Sequence, residues 1–361
     1  MQNDRLARLA HSQDGLVTRS QALGAGMTRS ALGHALRPQG PWRRILAGVY
    51  ATFSGPLAEI HQLRAATLYV PGGMVTGGCA CAMHGLRYGP VEDGVVGDVV
   101  EVVVDHRRRL RSTAFVRVRR TTRVPEPIWW VDEAVAGDVR GLMSWSRHED
   151  GRGWAPSPGV IAVAPVARAV VDTVSRLELL PPRWSPTCED AGRCVTCAGG
   201  EAHSASALRH VRALMCEAVQ RRRCSLTALA AEVAAAPVRG GRLARQALSD
   251  IAAGCRSAPE CEVRDLIRSS RVVPEPRYNR PLPGALGIVP DAAWDEARLV
   301  LEVDSRSFHG FGDAPARTEK RRARLAALGW RVLPVSPTRL RRDRDAVLRE
   351  IELAYLAGVA A

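Results

Sequence analysis

Residues 299–304 have a strand-like pattern of apolar and polar positions. Their odd-numbered positions are all apolar and would share one face of a β-strand, which puts Glu302 and Asp304 together on the other face. Residues 295–297 form a predicted turn after a preceding strand. This turn would bring Asp291 alongside Glu302.

Helical patterns flank this hairpin. One helix is predicted to open at Ser257 and continue through Ile267, and another spans about 315–328 and ends at Gly329. A strand over 330–335 and a terminal helix follow. The predicted order is therefore helix, three strands, helix, strand, helix.

The first 52 residues have the pattern of three short helices followed by two strands. The segments are 6–10, 18–26, 29–36, 42–45 and 48–50, with Thr28 as a predicted cap of the third helix. The helices have helix-turn-helix spacing, and the two strands would form a wing.

The middle of the chain, residues 53–180, is predicted to be a small α+β domain. Helices are expected over 56–69 and 77–86, a strand and a helix over 160–177, and antiparallel strands in two valine-rich segments. Those segments are 99–104 and 116–119. Residues 208–253 read as a helical connector.

Charge points to a polyanionic partner. The 361-residue chain has a formal net charge of +14, and nearly all its basic residues are arginines, which bind phosphate in a fork. They cluster in residues 1–50 and 317–349, so nucleic acid is the first candidate partner. An alternative explanation of the arginine-rich composition is a GC-rich genome. This explains the scarcity of lysine better than it explains the clustering of the arginines.

A cytoplasmic protein with no membrane partner is expected. The longest apolar stretch, 159–174, is interrupted by Pro165, Arg168 and Asp172, and no apolar leader follows the start. Nine cysteines, an odd number, are typical of reduced thiols.

Residues 181–207 form a predicted insertion that is rich in cysteine. A Cys₃His set of zinc ligands is one interpretation, and a disordered insertion with free thiols is the other. The four candidate ligands are Cys188, Cys194, Cys197 and His203.

The acids of the predicted hairpin suit a divalent cation. Asp291 and Glu302, assisted by Asp304, offer the hard oxygen donors that Mg²⁺ or Mn²⁺ prefers. The alternative is an edge hairpin with solvated acids. Burying unpaired carboxylates on so apolar a strand is costly, which argues for an ion or a cationic partner beside them.

Residues 250–357 resemble the PD-(D/E)xK nuclease superfamily, and within it the Vsr-like group known as DUF559. The matching positions are Glu260, Asp291, Glu302-Val303-Asp304, His309, Arg321 and the run from Leu325 to Gly329-Trp330. The resemblance implies a restriction-endonuclease-like α/β domain that cleaves phosphodiester bonds with Mg²⁺.

The resemblance also implies roles for these residues. Asp291 and Glu302 would hold Mg²⁺, His309 would be the general base, and Arg321 would steady the phosphate charge. Glu260 would orient a water or a second ligand, or else belong to a capping box with Ser257.

One departure concerns the superfamily's usual lysine. Its position is taken by Asp304 in this chain, and the only lysine is Lys320. Either Lys320 reaches the site from the following helix, or His309 and a bound water replace the missing ammonium.

The N-terminal segment resembles the winged-helix domain of AbiEi-type antitoxins. The matching residues are Gly15-Leu16-Val17-Thr18, Gly26-Met27-Thr28-Arg29-Ser30 and Gly48-Val49-Tyr50. The resemblance implies contact with duplex DNA, and it makes a cognate toxin a further candidate partner. The candidate DNA contacts are Arg29, Ser30 and His34 on a helix and Arg43 and Arg44 on the wing. The alternative is a protein-interaction module.

The sequence therefore predicts an α+β multidomain protein. Its segments are a winged helix (1–52), an α+β domain (53–180), a cysteine-containing insertion (181–207), a helical connector (208–253) and a nuclease-like domain (254–361). The predicted function is a Mg²⁺-dependent endonuclease that binds DNA. The alternative is a non-enzymatic regulator whose nuclease fold is degenerate.

Overall fold

The protein is a multidomain α+β molecule. A computed structural model describes residues 2–88, 99–131, 159–179, 200–284, 287–303 and 314–360. The chain divides into two compact units, Met1–Thr173 and Val174–Ala361. The finer domain boundaries stay predictions. Across the described ranges, no helix combines the length and the apolar character needed to cross a membrane.

Unit 1 begins with three helices and a small sheet. The elements are α1 (Gln2–His11), β1 (Leu16–Thr18), α2 (Arg19–Gly24), α3 (Arg29–Ala35), β2 (Arg43–Leu46) and β3 (Val49–Ala51). The three predicted helices and the β2–β3 wing are confirmed. The sheet has a third strand that was not predicted, β1, in the order β1-β3-β2. Its three residues are too few for an alternating pattern, and pairing with β3 defines it.

Threonine caps fix where α2 and α3 begin. The Thr18 side chain accepts a hydrogen bond from the backbone N–H of Gln21, and the Gln21 side-chain oxygen accepts one from the backbone N–H of Thr18. Thr28 caps α3 through the N–H of Ala31. Each cap satisfies a backbone donor that the first helical turn leaves free.

The rest of unit 1 surrounds a five-stranded sheet of order β6-β5-β4-β8-β7. The elements are α4 (Glu59–Tyr69), β4 (Met74–Thr76), α5 (Gly77–Met83), β5 (Val100–Asp105), β6 (Val116–Thr121), β7 (Ile128–Val131), β8 (Val160–Val163) and α6 (Val166–Leu179), which crosses into unit 2. The predicted antiparallel pairing of β5 and β6 is wrong, because the two strands run parallel, with Val100 opposite Val116. Residues 106–115 connect the two strands and are long enough to return the chain to the end of the sheet at which β5 begins.

Unit 2 contains seven further helices and a four-stranded sheet within the part of the chain described. The elements are α7 (Gly200–Gln220), α8 (Leu226–Ala235), α9 (Arg242–Ala252), α10 (Ala258–Ser269), β9 (Arg277–Tyr278), β10 (Ala292–Trp294), β11 (Leu299–Val303), α11 (Ala314–Ala327), β12 (Arg331–Val335), α12 (Pro337–Arg342) and α13 (Arg344–Val359). From α10 onward the predicted order is confirmed, except that the terminal helix is two helices. Residues 200–207, which the sequence analysis assigned to the insertion, are helical.

The sheet of unit 2 has the order β12-β11-β10-β9 and an apolar core on each face. One face carries Leu299, Leu301 and Trp294, and the other carries Val300 and Ala293 with Leu325 of α11. The predicted alternation along β11 is therefore confirmed. Glu302 belongs to the face of Val300, which α11 covers.

Candidate functional site: a carboxylate pair beside an arginine

The β10–β11 hairpin brings two predicted metal ligands side by side. Ala292 pairs with Leu301 in the antiparallel register, so the next position along each strand sets Asp291 opposite Glu302. The intervening turn, residues 295–298, is closed by the Arg298 N–H, which donates to the Asp295 carbonyl over 3.1 Å. The predicted turn and the predicted neighbourhood of the two acids are both found.

Asp291 is held in an environment that disfavours its charge. Its pKa is raised from 3.8 to about 7, first by burial and second by the negative charge of Glu260, with a smaller contribution from Glu302. Two groups act in the opposite direction: the Val303 N–H donates to Asp291 Oδ2 over 2.7 Å, and the Arg321 charge lies nearby. The charges of Glu260 and Glu302 therefore both disfavour ionisation of Asp291 at the end of this hairpin.

Glu302 is 8% exposed, and its neighbour is Arg321 of α11. Arg321 Nε lies 2.7 Å from Glu302 Oε1, and Arg321 Nη2 donates to the Val289 carbonyl over 2.6 Å. Within the described part of the chain, neither Nε nor Oε1 has a hydrogen-bond partner of acceptable geometry. Their contact is therefore a charge–charge contact rather than a directed hydrogen bond.

Glu260 makes the capping contact that one sequence interpretation required, and it also lies near Asp291. Ser257 is the N-cap of α10, and its hydroxyl donates to Glu260 Oε1 over 2.7 Å. Glu260 Oε2 accepts from the Arg256 N–H over 2.9 Å and from the Asn279 amide over 2.6 Å. The capping contact is present, and the same carboxylate is close enough to Asp291 to raise its pKa.

Asn279 was missed by the sequence analysis. Its side chain joins Glu260 to the Gly254 carbonyl, and its backbone N–H donates to the Asp291 carbonyl over 3.2 Å. Its φ of 48° is in the left-handed region, which asparagine tolerates better than most residues. Asn279 directly follows the two-residue strand β9, which is too short to produce a sequence pattern, so no signal pointed to it.

The other predicted site residues are not brought into this cluster by the described structure. Lys320 is exposed on α11. Asp304 and His309 lie outside the described residues, as do Cys188, Cys194 and Cys197. His203 lies within α7, but its side chain is outside the description. The proposed zinc site thus stays a prediction.

The acid cluster fits a hard divalent cation in its chemistry. Asp291 and Glu302 supply carboxylate oxygens, and Glu302 Oε1 is buried without a hydrogen bond. A cation placed between them would offset the burial and the negative charges of Glu260 and Glu302, which together raise the Asp291 pKa. Among the described residues, no group of three or more His, Cys, Asp or Glu side chains has the arrangement of a complete metal site.

The candidate DNA-binding residues of unit 1 divide into two groups. Arg29, Ser30 and His34 are exposed on α3, and Arg44 is exposed on β2. Arg43 is half-buried, donates to the Gly55 carbonyl and places its guanidinium 5.7 Å from the Phe53 ring centroid. Arg43 is therefore committed to contacts within unit 1, and Arg44 is the wing residue available to a ligand.

Comparison with known proteins gives distant relatives. No protein-family model matches the chain. It is similar to two uncharacterized proteins of Mycobacterium tuberculosis, one from strain CDC 1551 / Oshkosh and one from strain ATCC 25618 / H37Rv. Each is 31% identical over 160 residues, which is 42% of this chain and 59% of the relative. The chain thus spans less than two thirds of these relatives.

We expect the Asp291 environment to make the metal-free protein less stable as pH rises from about 4 to about 7. Over this window the folded state keeps a proton that the unfolded state has lost, because the folded pKa is about 7 and the reference value is 3.8. Asp291→Asn should remove this loss and stabilise the protein above pH 7 by about 1–2 kcal/mol, allowing for partial exposure. Melting curves in EDTA at pH 5 and pH 8 test this. Equal shifts at the two pH values would contradict it.

Proposed function

We propose that unit 2 is a metal-dependent endonuclease domain. The observation that carries the proposal is the placement of Asp291 opposite Glu302, with both carboxylates largely shielded from water and with Glu260 raising the pKa of Asp291. Such a cluster is unfavourable without a cation, and carboxylate clusters that bind Mg²⁺ or Mn²⁺ are the usual means of activating phosphodiesters. From α10 onward the order of helices and strands is the one predicted from the sequence. This order is the one expected from the resemblance to the nuclease superfamily, so it supports the same function.

Each residue has a role in this proposal. Asp291 and Glu302 would bind the divalent ion, which supplies Lewis-acid stabilisation of the phosphate when bound. The Val303 N–H orients the Asp291 carboxylate, and Asn279 holds Glu260 beside it. The positively charged guanidinium of Arg321 would stabilise the negative charge of the phosphate. His309 as general base and Asp304 as an assisting ligand are carried over from the sequence resemblance alone.

The test is an incubation of purified protein with duplex, mismatched, branched and single-stranded DNA and with RNA, each with Mg²⁺, Mn²⁺ or EDTA. Cleavage of at least one substrate with either metal, and none in EDTA, is expected. Intact substrates in every mixture would contradict the endonuclease function.

We also propose that residues 1–52 bind duplex DNA in the cytoplasm. The support is the capped α2–α3 pair, the exposed polar surface of α3 and the exposed Arg44 on the wing. Arginines on such surfaces bind phosphates, and side chains of the second helix reach base edges.

Arg44→Ala is expected to weaken DNA binding more than Arg43→Ala does. Arg44 is free to contact phosphate, so its loss should lower the slope of log affinity against log salt by about one unit. Arg43→Ala should mainly lower the melting temperature, because its guanidinium contacts Gly55 and Phe53. Fluorescence anisotropy across salt concentrations measures the slope. An unchanged slope for Arg44→Ala, or a larger change for Arg43→Ala, would exclude this role of the wing.

A non-enzymatic regulator is the second proposal. Two observations favour it: Arg321 contacts Glu302 directly, and Glu260 accepts three hydrogen bonds. Each gives the acid a structural role that needs no metal ion. Under this proposal the C-terminal unit would clamp the DNA backbone through its basic residues without cleaving it. A cognate toxin would then be the partner to seek.

A further inference from the structure

One basic side chain in unit 2 occupies the face of the sheet where the acids lie. Arg321 and Leu325 are four residues apart on α11, and therefore on one side of the helix. Leu325 is fully buried against Val300 and Ala293, which sit on the same sheet face as Glu302. The helix register thus aims Arg321 at Glu302.

Arg321 is fixed at two points. Its Nη2 donates to the Val289 carbonyl, two residues before Asp291, and its Nε approaches Glu302 Oε1 at 2.7 Å. Neither Nε nor Oε1 completes a hydrogen bond with any described atom. The guanidinium therefore neutralises the charge of Glu302 by proximity. It leaves Glu302 Oε1 without a hydrogen bond.

We infer that Arg321 is a built-in counterion that occupies Glu302 when no metal is bound and is displaced from it by a divalent cation. The inference rests on the proposed function. It adds a second state of the same site, in which the cation and the guanidinium exchange places beside Glu302.

The exchange follows from the cost of buried charge. Glu302 without a neighbouring cation would be a nearly buried, unpaired carboxylate, which is strongly unfavourable. Arg321 removes that cost in the metal-free state, but two cations cannot share one oxygen at close range without repulsion. A divalent ion with Asp291 as its second ligand gains more from Glu302 than a single guanidinium does.

The exchange would also couple metal binding to substrate binding. A guanidinium released from Glu302 remains on α11 next to the acids, where it can bind phosphate oxygens in a fork. The guanidinium of Arg321 is free to bind phosphate only when the metal ion has displaced it from Glu302. Phosphate binding should therefore favour the metal-bound state. The coupling is reciprocal, so metal should raise affinity for phosphate as well.

Arg321→Met tests the inference without recourse to cleavage. In EDTA the variant should melt about 2–8 °C below the wild type, because Glu302 loses its counterion. Its affinity for Mn²⁺, measured by titration calorimetry, should rise about 5- to 10-fold, since the competing cation is gone. Adding Mn²⁺ should therefore raise its melting temperature more than that of the wild type. Arg321→Lys, which keeps the charge, should bind Mn²⁺ with nearly wild-type affinity.

The matched control is Arg324→Met, which removes an exposed arginine from the same helix. It should change neither the melting temperature nor the affinity appreciably. If the wild type binds Mn²⁺ and Arg321→Met binds it equally well or more weakly, the counterion role is overturned and the metal site stands. If neither protein binds Mn²⁺, the proposed nuclease function falls together with the inference.

Discussion

Asp291→Ala or Glu302→Ala is expected to reduce DNA cleavage by at least about 10³-fold while leaving DNA binding nearly intact. The two acids are the pair that the β10–β11 register places together, so each would supply part of one cation site. Loss of the ion removes several kcal/mol of stabilisation of phosphate charge, which corresponds to this factor. Binding should persist because phosphate contacts depend on the basic residues.

The matched control is Glu296→Gln, an exposed acid in the turn of the same hairpin. It removes a negative charge without touching the acid pair and should retain cleavage. Lys320→Ala separates two interpretations of the missing superfamily lysine. A loss as large as that of Glu302→Ala would assign Lys320 the ammonium role, whereas a small loss would leave that role to other groups. Wild-type cleavage rates in both acid variants would contradict the proposed site.

Asp250→Asn is expected to be the most destabilising single substitution in unit 2 that we propose. Asp250 is 2% exposed and lies between two arginines that are almost fully buried. Its Oδ2 accepts from Arg212 Nε over 2.8 Å, and its Oδ1 accepts from Arg264 Nη1 over 2.8 Å. Removing one partner of a buried ion pair leaves uncompensated charge and costs about 3–5 kcal/mol.

Part of that charge has other partners. Arg212 also contacts Asp265, and Arg264 also contacts Glu275, so the loss should fall near the lower end of the range. A decrease in melting temperature of roughly 10 °C is expected. Asp345→Asn is the control, because Asp345 is an exposed acid at the start of α13. A loss under 1 kcal/mol for Asp250→Asn would show that the network is not needed for stability.

The parts that the sequence predicted are those set by local patterns. Alternation along residues 299–303 is a consequence of strand geometry, and the structure places Glu302 on the expected face. Thr18, Thr28 and Ser257 are caps whose side chains satisfy the first turn of a helix, so they mark helix starts reliably.

The parts that the sequence did not predict depend on contacts between distant residues. The parallel pairing of β5 with β6 is set by the path of the connecting loop, which two valine-rich patterns do not encode. Asn279 meets Glu260 across 19 positions, and Arg321 meets Glu302 across an equal separation. Only folding brings these pairs together. The basic pattern of the wing did not show whether Arg43 would contact phosphate or pack against Phe53, and in the structure its guanidinium lies over the Phe53 ring.

Titration calorimetry with Mn²⁺ on the wild type and on the double variant Asp291→Asn/Glu302→Gln tests the central claim most directly. Both substitutions keep size and polarity while removing charge, so the fold should persist and can be checked by melting curves. The account predicts about one tightly bound Mn²⁺ per wild-type chain and none in the folded double variant. Equal Mn²⁺ binding by the two proteins, or no binding by the wild type, would contradict it.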